Sequence, residues 1–141
     1  MPRVQAQSVE DFAPEVPLNA GWYAGEIIDI QSGVYGGQSK LIVRMYVKDE
    51  PAEQEDGTSA IGRTITDFLT ISGYESFKDG GKFAKQKRFR FAKATGHEEV
   101  LTSDFDTDDL IGVELLFHAK PNLNPKTDEW VDQVTDYRPL D

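Results

Sequence analysis

KLIVRMYVKD, residues 40–49, is the stretch on which the fold turns. Its residues alternate, with Leu41, Val43, Met45 and Val47 on one side and Lys40, Ile42, Arg44, Tyr46 and Lys48 on the other. Successive side chains of a strand point to opposite faces, so the pattern predicts a strand with one apolar face and one cationic and aromatic face. Upstream, GWYAGEIIDIQ (21–31) is rich in aromatic and β-branched residues and is predicted as the preceding strand, closing at the glycine-rich turn SGVYGGQS (32–39). Downstream, RTITDFLTIS (63–72) reads as a third strand from its Thr and Ile content. GVELLFHAK (112–120) reads as a fourth, with Val113, Leu115, Phe117 and Ala119 on one face, and EWVDQVTDY (129–137) as a fifth. PNLNPKTDE (121–129), with Pro121 and Pro125, is predicted as the loop between them.

The remaining segments separate these strands. KFAKQKRFRFAKATG (82–96) is long enough for a helix and ends on Gly96, a good C-terminal stop, while the alternation in RFRF also suits a strand. The acidic connection 97–110 ends in DTDDL, where an Asp is placed to cap a short helical turn. Residues 49–60 (DEPAEQEDGTSA) have the composition of an exposed loop. Residues 1–20 contain Pro2, Pro14 and Pro17 and no periodicity, which predicts an extended or mobile N-terminal arm ahead of one domain over 21–141. Three strands, a helix and two strands is the order of an OB-fold. The expected class is therefore mainly β, a five-stranded OB-fold barrel with one helix between strands three and four, a fold that binds oligonucleotides on strands two and three and in adjoining loops. Fold alone does not give function.

The 141 residues include no cysteine, which excludes disulfides and thiolate metal sites and fits a reducing cytosol. No segment approaches the roughly 20 apolar residues of a membrane span, and the N-terminus has no apolar signal core, so the expectation is a soluble, cytoplasmic, untargeted protein. The net charge is −10, but it is segregated. Residues 78–93 hold seven basic residues against the single acid Asp79, a local charge of +6, which leaves −16 on the rest. Such a run either creates a local field attractive to phosphate or is one solvated helix face of an acidic protein.

Catalytic chemistry is thin. His97 precedes two glutamates in a predicted loop, His118 alternates with core residues on a strand, and neither has the setting of a general base. Asp104, Asp106, Asp108 and Asp109 lack the glycine, terminal Glu and flanking helices of a calcium loop, and no phosphate-cradling or nucleophile-elbow motif is present. The expectation is a binding protein and not an enzyme, with no cofactor and no metal.

Sequence-independent binding of single strands needs aromatic platforms for the bases and cations along the backbone. Lys40, Arg44 and Tyr46 share the outer face of the second strand, unless Ile42 and Tyr46 pack under a loop or against a subunit. Tyr35, flanked by Gly33, Gly36 and Gly37, is predicted at a flexible loop tip where it is free to stack. Phe68 falls with Thr64, Thr66 and Thr70, opposite an inward face of Ile65, Leu69 and Ile71 beside Asp67, although a one-residue slip exchanges the two faces. Trp130 either stacks a base or plugs the barrel end, and only one of Trp22 and Tyr23 can point inward. Lys82, Lys85, Lys87 and Arg88 are candidate phosphate contacts, with Arg63 and Lys120 completing the cationic set. Phe83, Phe89 and Phe91 are expected to anchor the helix, but Phe89 and Phe91 diverge by about 200° and cannot face the same core.

PLNAGWYAGEIIDI (17–30), GRTITDFLTIS (62–72), DTDDLIGVELLFHAK (106–120) and VTDYRPL (134–140) together resemble a family of small bacteriophage proteins regarded as single-stranded-DNA-binding. The resemblance runs from about residue 17 to the end; it departs from the family pattern at Val113-Glu114, where a basic residue often follows the glycine, and in the acidic insertion 49–60. It implies a protein that coats single-stranded DNA during phage replication or recombination in the host cytoplasm. Phage or host replication and recombination proteins and a second copy of the chain are then further candidate partners, with no membrane involved. Two rivals stay open: an acidic interaction protein that mimics DNA, and a virion assembly protein.

Overall fold

The computed structural model describes residues 17–49, 59–102 and 105–140. The alternating stretch becomes β2 (Gln38–Asp49), with Leu41, Val43, Met45 and Val47 buried and Arg44, Tyr46 and Lys48 exposed. It lies between β1 (Gly21–Tyr35) and β3 (Thr64–Ser72), and β4 (Glu114–Asn124) and β5 (Glu129–Pro139) extend the sheet beyond β1. The result is one antiparallel five-stranded sheet in the order β3-β2-β1-β4-β5, with α1 (Lys82–Thr95) between β3 and β4.

β1 serves two neighbours, pairing with β4 over Gly21–Glu26 and with β2 from Ala24 to Tyr35. Register shifts between Ala24 and Gly25 and between Ile27 and Asp29 supply the bend. A bulge kinks its strand and leaves one residue unpaired; here Ile28 is exposed while Ile27 and Ile30 stay in the core. Gly112 N donates to Ile27 O and Ile27 N to Val113 O, at 2.7 and 2.9 Å, so the bend is tied to the start of β4.

No ladder joins β3 to β5 among the described residues, so the sheet is open along the seam where a barrel would close. Side chains cross that seam. Asp67 on β3 accepts a hydrogen bond from the Tyr137 hydroxyl on β5 and, at 2.6 Å, from Lys87 Nζ on α1. Nearby, Arg63 lies 3.9 Å from Asp132 on β5, and Asp132 also accepts from Leu18 N at 2.6 Å. Phe91 on α1 is buried edge-on to Tyr137, ring centroids 5.0 Å apart, which seats the helix over β5. Burial pushes the Tyr137 hydroxyl well above its usual value of 10.0, with the charge of Asp67 adding to the effect. The unfolded chain therefore loses this proton first, and the stability Tyr137 contributes is constant below about pH 10 and declines above it. Urea unfolding of the wild type and Tyr137→Phe from about pH 8 to about pH 11 is expected to show their stability difference shrinking over the alkaline half. A constant difference would remove Tyr137 as a titrating group.

Helix composition prevails over the RFRF alternation. Lys82 to Ala94 contains no β-branched residue and no glycine, and nearly all of it is good helix former. Asp79 accepts from Gly81 N and Phe83 N at 2.8 and 3.1 Å, which occupies first-turn donors and holds its carboxyl below the ordinary range, the Phe83 bond most strongly. The helix stops at Gly96, as predicted. Of its three phenylalanines only Phe91 is buried; Phe83 and Phe89 are half exposed and do not anchor it. The acidic connection forms two 3-10 turns, and Asp106 caps the second by accepting from Asp108 N at 2.9 Å.

The strand ends differ from the sequence reading. β1 continues through Ser32–Tyr35, leaving only Gly36 and Gly37, at φ 58° and 80°, as the hairpin turn. β4 runs through Pro121 to Asn124, so the predicted loop 121–129 shrinks to a turn at 125–128. Pro121 is tolerated because β1 last pairs with β4 at Gly21 and Ala119, and beyond that point one side of β4 has no neighbour needing its N–H. Tyr23 is the residue of its pair that enters the core, stacked 5.9 Å from Phe117, while Trp22 lies under the Arg138 guanidinium at 4.1 Å. Leu18 is fully buried, so the end of the predicted arm packs into the core; residues 1–16 and the centre of the predicted acidic loop, 50–58, lie outside the described residues.

Candidate nucleic-acid interface

The register of β1, β2 and β3 fixes which residues share the outer face. Lys40 stands between Gly33 and Thr70, Ile42 between Gln31 and Phe68, Arg44 between Asp29 and Thr66, and Tyr46 between Glu26 and Thr64. Phe68 is 52% exposed and Tyr46 40% exposed, so the outward register predicted for both strands is the one formed. Thr70, opposite Lys40, is covered and not exposed. Among the described residues neither Lys40 nor Arg44 makes an ion pair. At the far end Lys48 is held by Glu114 at 2.5 Å and Glu26 at 3.4 Å; these carboxylates, Glu114 foremost, raise its pKa and cancel its charge. The net cationic stretch therefore ends between Tyr46 and Lys48.

Tyr35 is not at a flexible loop tip. It is the last residue of β1, paired with Gln38, and its ring folds back across Gly33, where a Cβ would lie 2.8 Å from the ring. The fold brings it edge-on to Phe68 with centroids 6.1 Å apart and leaves it 48% exposed. Gly73 makes this possible. It has φ 81°, and a Cβ there would come 2.6 Å from the Gly37 carbonyl, so glycine lets the exit of β3 press against the hairpin turn that carries Tyr35.

The predicted phosphate contacts divide. Lys82 and Lys85 are exposed on α1, with Lys85 Nζ 5.3 Å from the Tyr74 ring. Lys87 is only 8% exposed and spends its charge on Asp67, so it faces the core and not a ligand. Arg88 donates to the carbonyls of Val100, Ile71 and Thr102 and to Tyr74 Oη, and acts as a fastener of the connections around the helix. Arg63 is taken into the β3 and β5 seam. Helical spacing held the clue for Lys87: it lies one turn before Phe91, and residues 87, 91, 94 and 95 form the buried stripe.

Lys120 and Trp130 are not brought onto the β1–β3 face. Both lie on the part of the β4 and β5 hairpin beyond the last β1 pairing, Lys120 opposite Gln133 and Trp130, exposed, opposite Leu123. His97 contacts Glu99 at 2.7 Å and His118 contacts Thr135 at 2.8 Å. Among the described residues no group of three His, Cys, Asp or Glu side chains is placed to hold a metal, and no helix is long and apolar enough to cross a membrane. No protein-family model matches the chain, and no curated protein matches it.

Proposed function

We propose that the chain binds single-stranded DNA across the outer face of β1, β2 and β3, with little dependence on base sequence and without turnover. One observation carries this reading: Tyr35, Tyr46 and Phe68 are exposed on the same sheet face as Lys40 and Arg44, two cations without ion partners among the described residues. Exposed rings accept any base by its π-face, and cations between them meet the backbone, the combination that sequence-tolerant single-strand binding requires. The strand order, with one helix between β3 and β4, supports the finer reading of an OB-type barrel unrolled at the β3 and β5 seam and fastened there by Asp67, Lys87 and Tyr137. Coating of single strands in phage replication or recombination, alongside the proteins of those processes, follows from the resemblance of residues 17–140.

Fluorescence anisotropy of labelled oligo-dT at about 50 and about 200 mM salt tests the proposal. Affinity is expected to fall as salt rises. Lys82→Gln with Lys85→Gln is expected to flatten the log–log slope by about 1.4, two phosphate contacts at roughly 0.7 each. An unaltered slope would separate α1 from the DNA path. Absence of binding to single strands would favour the acidic DNA mimic, and stable self-assembly without DNA the assembly role.

A further inference from the structure

β3 leaves the sheet at Ser72 and the chain turns through Gly73 and the 3-10 turn Tyr74–Ser76 into α1. This connection and the first turn of α1 bring Phe77 and Phe83 beside Phe68, and the three rings, with Lys40, Leu69, Thr70, Ala84 and the Asp67-paired Lys87, line a shallow cleft of about 180 Å³. Phe83 is 50% exposed although it starts a helix whose core contact is made by Phe91, so its ring is not needed to hold the helix down. Tyr35 backs Phe68 from the other side. Four rings left partly in water at one corner form an apolar patch of the kind that marks a contact site. Lys40 lines the cleft, and Lys78 and Lys82 adjoin Phe77 and Phe83 in the chain; none of the three makes an ion pair among the described residues.

We propose that this cleft takes one nucleobase of the bound strand, turned off the sheet face and stacked between Phe68 and Phe83, with its flanking phosphates directed to Lys40 and Lys82. The inference rests on the reading of β1–β3 as a single-strand-binding face and extends that face around the edge of β3 to α1. The chemistry favours a nucleotide over an apolar side chain of a protein partner. Aromatic walls suit a flat ring, and Lys40, Lys78 and Lys82, without counter-ions among the described residues, complement phosphodiesters, whereas an aliphatic side chain leaves those charges without a use. No side-chain amide or carboxylate lines the cleft, Lys87 is paired with Asp67 and Thr70 is only 5% exposed, so little is offered to read base edges and the pocket accepts purines and pyrimidines alike.

Binding of oligo-dT of increasing length to the full chain tests this. Phe83→Ala is expected to weaken binding by roughly 5- to 150-fold, the loss of one stacked base, and to bring the plateau of affinity against length one nucleotide earlier, while Phe83→Tyr keeps both near wild type. The melting temperature of each variant checks that the half-exposed ring was not holding the fold. Oligo-dT carrying 5-iododeoxyuridine is expected to photocrosslink within residues 73–85. Full affinity and an unchanged length dependence in Phe83→Ala, with the wild type binding normally, would overturn the cleft and leave the sheet-face proposal standing. A wild type that binds no oligonucleotide overturns both.

Discussion

Replacing Lys87 with alanine is expected to destabilise the protein by about 3–5 kcal/mol, a large share of the roughly 5–15 kcal/mol that separates a folded domain from its unfolded chain. Among the described residues the ammonium is the only cation bonded to the Asp67 carboxylate, at 2.6 Å, and both residues are nearly inaccessible to water. Removing it leaves a buried carboxylate with the Tyr137 hydroxyl as its remaining donor among the described residues. The loss measures that stranded charge and not the net worth of the pair, because desolvating both ions consumes most of their attraction. Replacing the three together, Asp67→Leu with Lys87→Met and Tyr137→Phe, is accordingly expected to recover most of the stability. Guanidinium unfolding checks both: the single variant lowers the midpoint at unchanged slope, and the triple variant restores it. A single-variant loss under about 1 kcal/mol, the range of exposed ion pairs, would mean that water reaches the seam and that Asp67 does not fasten β3 to β5.

The network also marks where sequence reading stops. Asp67 was legible as an inward residue from the alternation in RTITDFLTIS, whereas Lys87 was read as a phosphate contact, and their pairing joins residues 20 apart through a helix and a strand. Local periodicity carries no information about such a meeting. β2 was read residue by residue because it is paired on both sides and buried on one face, so period two governs it throughout. The ends of β1 and β4 were cut short because Gly33 and Pro121 look like punctuation. Gly33 instead makes room for the Tyr35 ring, and Pro121 lies where β4 has lost one neighbour.

The candidate site was legible to the same depth. Arg44, Tyr46 and Phe68 came from strand alternation and occupy the predicted face. Phe77 and Phe83 did not, since a connecting turn and the outer face of a helix show no pattern that points at a neighbouring strand. The +6 run misled in part. A helix buries one stripe whatever its charge, and that stripe took Lys87, while Arg88 was drawn to the carbonyls of Val100 and Thr102 at a 3-10 turn and of Ile71 near the end of β3.

Tyr35→Ala and Phe68→Ala are each expected to weaken binding to oligo-dT by about 1–3 kcal/mol. The two rings meet edge-on at 6.1 Å, and either one steadies the other, so the double variant is expected to lose less than the sum of the singles. Both are about half exposed, and near-wild-type melting temperatures are expected to accompany the loss. Salt separates stacking from charge: the aromatic variants shift the affinity line downward at constant slope, because no counterion is released by a ring, whereas Arg44→Ala reduces the slope by about 0.7. If Tyr35→Ala with Phe68→Ala binds as tightly as wild type, the exposed rings are not platforms and the β1–β3 face is not the site. If instead those variants flatten the slope, the rings act by positioning Lys40 and not by stacking, and the bases lie elsewhere on the strand path.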